Sequence, residues 1–192
     1  MRLFIAVNLP SPAARSVSEL VARLRPQVTG VKWVDPGLMH FTLKFLGETE
    51  PSRLAQIQAA LAQVQATPFE VQLEGAGAFP NPGRPRVLWV GVKDGAEPLT
   101  RLAEKIEDCL DGPGEDRPFK PHLTIGRAKR PTRQPNLQLP QDKLAKFRVE
   151  SFELIRSQLT PAGPKYHVLS SFGLHGGPKV ATLERESGSK NV

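Results

Sequence analysis

Cysteine occurs once in the 192 residues, at Cys109, which leaves no partner for an intramolecular disulfide and no second thiolate for a metal site. Apolar residues at helical spacing over 102–110 predict that this thiol sits on a helix, packed or partly exposed. Long apolar runs are missing too: no stretch approaches the roughly 18 residues that a membrane-crossing helix requires. The opening residues 1–8 read as a short strand cut off by Pro10, too brief for a secretory signal, so a cytoplasmic protein without membrane contact is expected. The chain has no His-Glu-x-x-His, no clustered Asp and His, and no glycine-rich phosphate loop of the Walker type. Those gaps exclude the common zinc-hydrolase signature and a nucleotide-driven ligase, and neither metal nor cofactor is expected.

What is present is a globular balance, 39% hydrophobic and 23% charged, in a chain long enough for one domain or two closely joined lobes. A formal net charge of +7 favours a polyanionic partner, because lysine and arginine contacts to phosphate release condensed counterions. The densest basic run is Arg127, Lys129, Arg130 and Arg133. Glycine and proline collect at joints such as Pro36-Gly37, Pro80-Asn81-Pro82-Gly83 and Pro161-Ala162-Gly163-Pro164, and no long linker separates independent domains.

One short phrase occurs twice: His40-Phe41-Thr42-Leu43 and, 82 residues on, His122-Leu123-Thr124-Ile125. Alternation of apolar and polar residues marks each as a strand with histidine and threonine on one face. Two such strands across a cleft would supply one proton acceptor, one proton donor and two hydroxyls for a shared oxyanion, the outline of a metal-free phosphoesterase. The repetition extends outward. Each phrase follows an apolar strand, over 3–8 and 87–92, and an amphipathic helix, over 11–25 and 97–110. Residues 69–77 then parallel 147–159, and 87–92 parallel 166–174. One element is not repeated. The helix predicted over 51–65 is replaced in the second unit by Pro131, Pro135 and Pro140, which predict a loop with at most a short helix over 142–146.

The expected fold is therefore α+β: two pseudo-symmetric lobes of antiparallel sheet with helices on the outer faces and a catalytic groove between them. Residues 1–176 are expected to form a single bilobal domain from units at about 1–84 and 85–175. Residues 177–192 are expected to be a polar, poorly ordered tail in which 180–183 adds a short strand.

The first phrase continues as Phe45-Leu46-Gly47, while the second is preceded by Phe119-Lys120-Pro121 and followed by Arg127. With these flanks the pair resembles the 2H phosphoesterase superfamily, and within it the bacterial and archaeal RNA 2′,3′-cyclic phosphodiesterases, also called 2′-5′ RNA ligases. The opening Arg2-Leu3-Phe4-Ile5-Ala6-Val7, the pair Trp33-Val34 and the region from Ser157 to Tyr166 extend the resemblance over about residues 1–175. It implies hydrolysis of RNA or nucleoside 2′,3′-cyclic phosphates to 2′-phosphates, with His40 as proton donor to the leaving 3′ oxygen and His122 as proton acceptor from water. Spacing alone does not assign the two roles, since the two settings are nearly equivalent. A monomer acting on RNA with 2′,3′-cyclic phosphate ends, or on cyclic nucleotides, is expected.

Thr42 and Thr124, one strand step from each histidine, are candidates to donate to the non-bridging phosphate oxygens whose charge grows in the transition state. The family pattern places an arginine at Arg127. On a straight strand its odd offset from His122 would turn it to the opposite face, so a role at the phosphate requires a bend, which Gly126 would permit. Lys44, two steps beyond Thr42 on the His40 face, is a second phosphate candidate. For stacking a base the candidates are Trp33, Phe45, Phe119 and Tyr166, although aromatics on strands more often fill a core. His167 and His175 stand outside the repeated phrases and are expected in structural or surface roles. Two alternatives stay open: 2′-5′ ligation by the reverse type of reaction, and an RNA- or nucleotide-binding module without turnover, against which the presence of both histidines argues.

Overall fold

The alternating segments pair into two five-stranded antiparallel sheets in a computed structural model that describes residues 1–110, 119–130, 137–161, 163–174 and 180–181. In chain order the elements are β1 (Arg2–Asn8), α1 (Ser11–Leu24), β2 (Val31–Trp33), β3 (His40–Glu48), α2 (Leu54–Leu61), β4 (Phe69–Phe79), β5 (Val87–Asp94), α3 (Ala96–Cys109), β6 (His122–Ala128), β7 (Lys143–Val149), β8 (Ser151–Thr160), β9 (Gly163–Gly173) and β10 (Val180–Ala181). The first sheet has the order β10-β9-β8-β1-β3 and the second β2-β6-β5-β4-β7.

The repeated units are crossed in space. β1 lies between β3 and β8, and β5 lies between β6 and β4, so each sheet takes an inner strand from the other half of the chain. Each sheet also carries one histidine strand, β3 or β6, and each histidine strand pairs with an apolar inner strand, β1 or β5.

The helices cover the sheets because their apolar residues recur every three or four positions. α1 buries Val17, Leu20, Val21 and Leu24, and α3 buries Leu99, Leu102, Ala103 and Ile106. α1 packs against β7 and α3 against β3, so each helix ties its lobe to a strand of the opposite sheet. Phe41 on β3 stacks on Phe147 on β7, with ring centroids 6.5 Å apart, which joins the two sheets in one continuous core. Full burial of one such side chain stabilises the fold by about 1.5–3 kcal/mol.

Three local expectations are corrected. Residues 142–146 do not form a short helix: Lys143–Val149 is a strand whose register on β4 runs from Phe69↔Val149 to Glu74↔Lys143, and long-range pairing overrides the local preference. The single segment expected over 147–159 breaks at Glu150 into β7 and β8, which belong to different sheets. The helix expected over 51–65 is shorter, a 3-10 turn at Pro51–Arg53 followed by Leu54–Leu61. Beyond it the chain turns and runs extended toward Pro68, whose ring disfavours a helical conformation in the residue before it. Of the expected tail only Val180–Ala181 is described, paired with Phe172 and Ser171 on β9. Pro131, Arg133, Pro135 and His175 lie outside the described residues. Among the described residues no helix is long and apolar enough to cross a membrane.

Candidate active site

Both histidine strands carry the same burial order over His40–Phe45 and His122–Arg127: half-buried, buried, half-buried, buried, buried, exposed. Two consecutive buried residues break strict alternation, and they do so at the same place in each strand. The cause is a pair of β-bulges. Ile5 pairs with Lys44 and Ala6 with Thr42, leaving Leu43 extra; Leu88 pairs with Gly126 and Trp89 with Thr124, leaving Ile125 extra. An extra residue on one strand exchanges the two faces for everything beyond it.

That exchange sorts the candidates. Lys44 is turned inward, 8% exposed, and its ammonium binds Glu107 on α3, which corrects the expectation that it shares the His40 face. Phe45 instead comes to the cleft side and is 55% exposed. On β6, Gly126 takes the inward place and Arg127 the cleft place, so the bulge supplies the bend that a phosphate role for Arg127 requires. Gly126 has no room for a side chain, because a Cβ there would lie 2.7 Å from Val31 Cγ1 and 3.2 Å from Trp33 Cε3. Trp33 therefore sits on the back of the β2–β6 pair, packed against the core, with the Arg25 guanidinium 5.9 Å from its ring centre. It does not line the cleft, and its expected role in stacking a base is corrected. Its neighbour Val34 has the opposite parity and does line it.

The cleft between the sheets has a volume of about 1210 Å³. Its first wall presents Arg2, Phe4, His40, Thr42, Phe45, Ser157 and Tyr166, and its second Phe79, Arg86, His122, Thr124 and Arg127, with Phe119 and Lys120 at the approach to β6. Of the described lining residues four are cationic, Arg2, Arg86, Lys120 and Arg127, and none is acidic. Arg2 and Arg86 were not singled out from sequence as substrate contacts. The available signal is positional, since Arg2 opens β1 and Arg86 directly precedes β5, the inner strands beside the histidine strands.

The two imidazoles are oriented alike. His40 Nδ1 lies 2.8 Å from the Leu38 carbonyl, and His122 Nδ1 lies 2.7 Å from the Lys120 carbonyl. A carbonyl only accepts, so Nδ1 donates in both rings and Nε2 is left as the atom that can gain or lose a proton. Their surroundings differ. The His40 ring packs against Phe4, with centroids 4.9 Å apart, and against the edge of Tyr166 at 5.4 Å. The His122 ring meets Phe79 edge-on at 5.4 Å, and Phe79 in turn rests on Trp89. Burial pulls the His40 pKa below the ordinary 6.5; its bond to the Leu38 carbonyl opposes that shift and the Arg127 charge adds to it. Burial pushes the Tyr166 phenol up, against the charges of Arg127 and Arg2. Arg127 is thus felt by both polar rings of the opposite wall.

Other candidate groups fall elsewhere. His167 on β9 is exposed and outside the cleft. The Cys109 thiol, at the end of α3, donates to the Ile106 carbonyl at 3.2 Å, and burial raises its pKa. Among the described residues no three His, Cys, Asp or Glu side chains gather as a metal-ligand set.

Residues 9–161, which contain both histidine strands, match the family model of the 2′-5′ RNA ligase superfamily. The chain belongs to that superfamily. Among its relatives, a protein of Archaeoglobus fulgidus named RNA 2′,3′-cyclic phosphodiesterase is 42% identical over 179 residues, covering 90% of this chain and 99% of its own. One of the same name from Thermus thermophilus is 41% identical, with 92% and 91% covered. The crystal structure of TT0787 of Thermus thermophilus superposes with a TM-score of 0.79 at 38% identity, over 92% of this superfamily member and 99% of that chain. Escherichia coli LigT in its apo form shares the fold, with a TM-score of 0.75 at 24% identity over 90% and 96% of the two chains.

Proposed function

We propose that this chain hydrolyses the 2′,3′-cyclic phosphate end of RNA, or of a nucleoside, to a 2′-phosphate by metal-independent general acid–base catalysis. One observation carries the reading: two Nε2 atoms, each ring held by the backbone carbonyl two residues before it, belong to opposite walls of a cleft whose described lining holds four cations and no carboxylate. The names of the relatives and the superfamily membership support it.

In this mechanism a water oxygen attacks phosphorus while the bond from phosphorus to the 3′ oxygen breaks. His122 Nε2 takes the proton from water, and protonated His40 gives its Nε2 proton to the 3′ oxygen. The pair then returns to its starting protonation through solvent. Thr42, Thr124 and Arg127 donate to the non-bridging oxygens, where preorganised donors act most strongly on developing charge. The burial that lowers the His40 pKa makes its imidazolium a stronger acid, and the anionic phosphate offsets the loss of protonated population. Phe45, Phe119 and Tyr166, all on the cleft lining, are the candidates to hold the base.

Phosphorus NMR of the product from a defined nucleoside 2′,3′-cyclic phosphate, run with and without EDTA, tests the reading. A 2′-phosphate formed equally in both is expected. A 3′-phosphate would reverse the leaving oxygen, loss of turnover in EDTA with rescue by one metal would replace the mechanism, and binding without turnover would reduce the protein to a nucleotide-binding module. His40→Ala and His122→Ala are each expected to lower kcat by at least about 100-fold, the usual scale for a general acid or base. Near-normal kcat in either variant removes that residue from the chemistry.

A further inference from the structure

The second wall continues past the cleft onto β2. This three-residue edge strand pairs with β6 in the register Val31↔Ala128, Lys32↔Arg127 and Trp33↔Gly126. Residues directly opposite one another in antiparallel strands project to the same face, so Lys32 stands beside Arg127 on the cleft side while Val31 and Trp33 pack behind, against Gly126. Both cations are exposed, and neither forms an ion pair with the described residues. Like charges directly opposite in a sheet are destabilising. The Lys32 Nζ also reaches across to the opposite lobe, lying 3.7 Å from the position a Cβ would take at Gly163, the first residue of β9 at the β8–β9 turn. The ammonium therefore stands beside the β8–β9 turn, outside the cleft lining itself but next to the paired Leu159 and Pro164, which belong to that lining.

Resting on the proposed function, we infer that Lys32 binds the internucleotide phosphate next to the scissile one and so selects an RNA end over a free cyclic nucleotide. Arg127 takes the cyclic phosphate, and Lys32, its cross-strand neighbour, takes the phosphate that joins the terminal nucleotide to the chain before it. An anion between the two cations relieves their repulsion, and a mononucleotide has no group to offer there. The β8–β9 turn, with Leu159 and Pro164 on the cleft lining, forms the other side of the passage. The site is one of charge and position, not of base identity, and extends recognition along the backbone without reading sequence.

The test compares a nucleoside 2′,3′-cyclic monophosphate with a dinucleotide ending in the same cyclic nucleoside, using wild type, Lys32→Ala and Lys32→Arg. In Lys32→Ala the ratio of kcat/KM for the dinucleotide to that for the mononucleotide is expected to fall by at least about fivefold, mostly through the dinucleotide KM. The salt dependence of the dinucleotide KM should weaken by about one phosphate contact. Lys32→Arg should restore most of the ratio. An equal loss on both substrates, or no loss on either, overturns the inference while leaving the hydrolysis of the mononucleotide intact as evidence for the reading beneath it. If wild type hydrolyses neither substrate, the functional reading itself fails and the inference falls with it.

Discussion

The wall built on β3 and the wall built on β6 share a backbone and differ in what the backbone presents. Each strand offers a histidine, a threonine and then, after a bulge at the equivalent residue, one side chain turned into the cleft: Phe45 on the first wall and Arg127 on the second. The residue turned the other way differs as well, Lys44 reaching to Glu107 on α3 and Gly126 pressed flat by β2. The two strands thus place two histidines equivalently, and a single place beyond them differs, an apolar ring on one wall and a guanidinium on the other. Under the proposed function that difference would set a base against one wall and a phosphate against the other.

The largest expected contrast comes from removing the two cleft-facing residues one at a time. Arg127→Ala should lower kcat/KM for a cyclic nucleotide by about 100-fold, as loss of a preorganised donor to developing charge does. Phe45→Ala should lower it only about tenfold, mainly through KM, on the scale of one lost base stack. Equal losses, or a larger effect from Phe45, would mean that the two walls are not divided between phosphate and base.

The residues behind the bulges give a smaller, structural contrast. Gly126→Ala forces β2 outward and should cost about 1–3 kcal/mol in a denaturant melt, as overpacking does. Lys44→Ala leaves Glu107 without its ammonium, but that carboxylate is already one-third exposed, so a lower cost of about 1–2 kcal/mol is expected. A neutral Gly126→Ala would show that β2 yields freely and that the back of the second wall is not tightly packed.

How much of this was legible in the sequence follows from where each signal resides. Two His-x-Thr strands, their inner partners and both long helices were readable because hydrophobic alternation and helical spacing are local. The bulges were not, because a bulge is a relation between a strand and its neighbour, and β3 read alone runs smoothly from His40 to Glu48. Lys44 was therefore given the wrong face, while Arg127 could be given only a condition. Trp33 failed by a single step of parity on a strand of three residues, too short to show alternation. β7 was hidden by the prolines before it, since its stability comes from pairing with β4, whose partner residues lie 69 to 80 positions earlier.

The smallest effect expected is a pH dependence of stability that arises at His40. Because the folded pKa of His40 lies below its unfolded value near 6.5, the unfolded chain takes up this proton first as the pH falls. The stability that neutral His40 contributes is complete above the unfolded value and is lost as the pH drops from there through the folded one. The melting temperature of wild type should fall more steeply below about pH 6.5 than that of His40→Asn, which cannot titrate there. Parallel curves would mean that burial does not lower the His40 pKa in the folded protein.

The crossing of β4 and β8 between the two sheets governs the order in which the protein can be made. During synthesis β1 emerges before β3, but the other edge of β1 waits for β8 at Ser151–Thr160, more than 140 residues later. The second sheet can close earlier, since β4, β5, β6 and β7 all precede it. In chain order the wall that carries His122 thus has all its paired strands before the wall that carries His40 gains the strand for the open edge of β1. A chain cut before residue 151 would leave that apolar edge without its partner, and an unpaired edge is a template for aggregation.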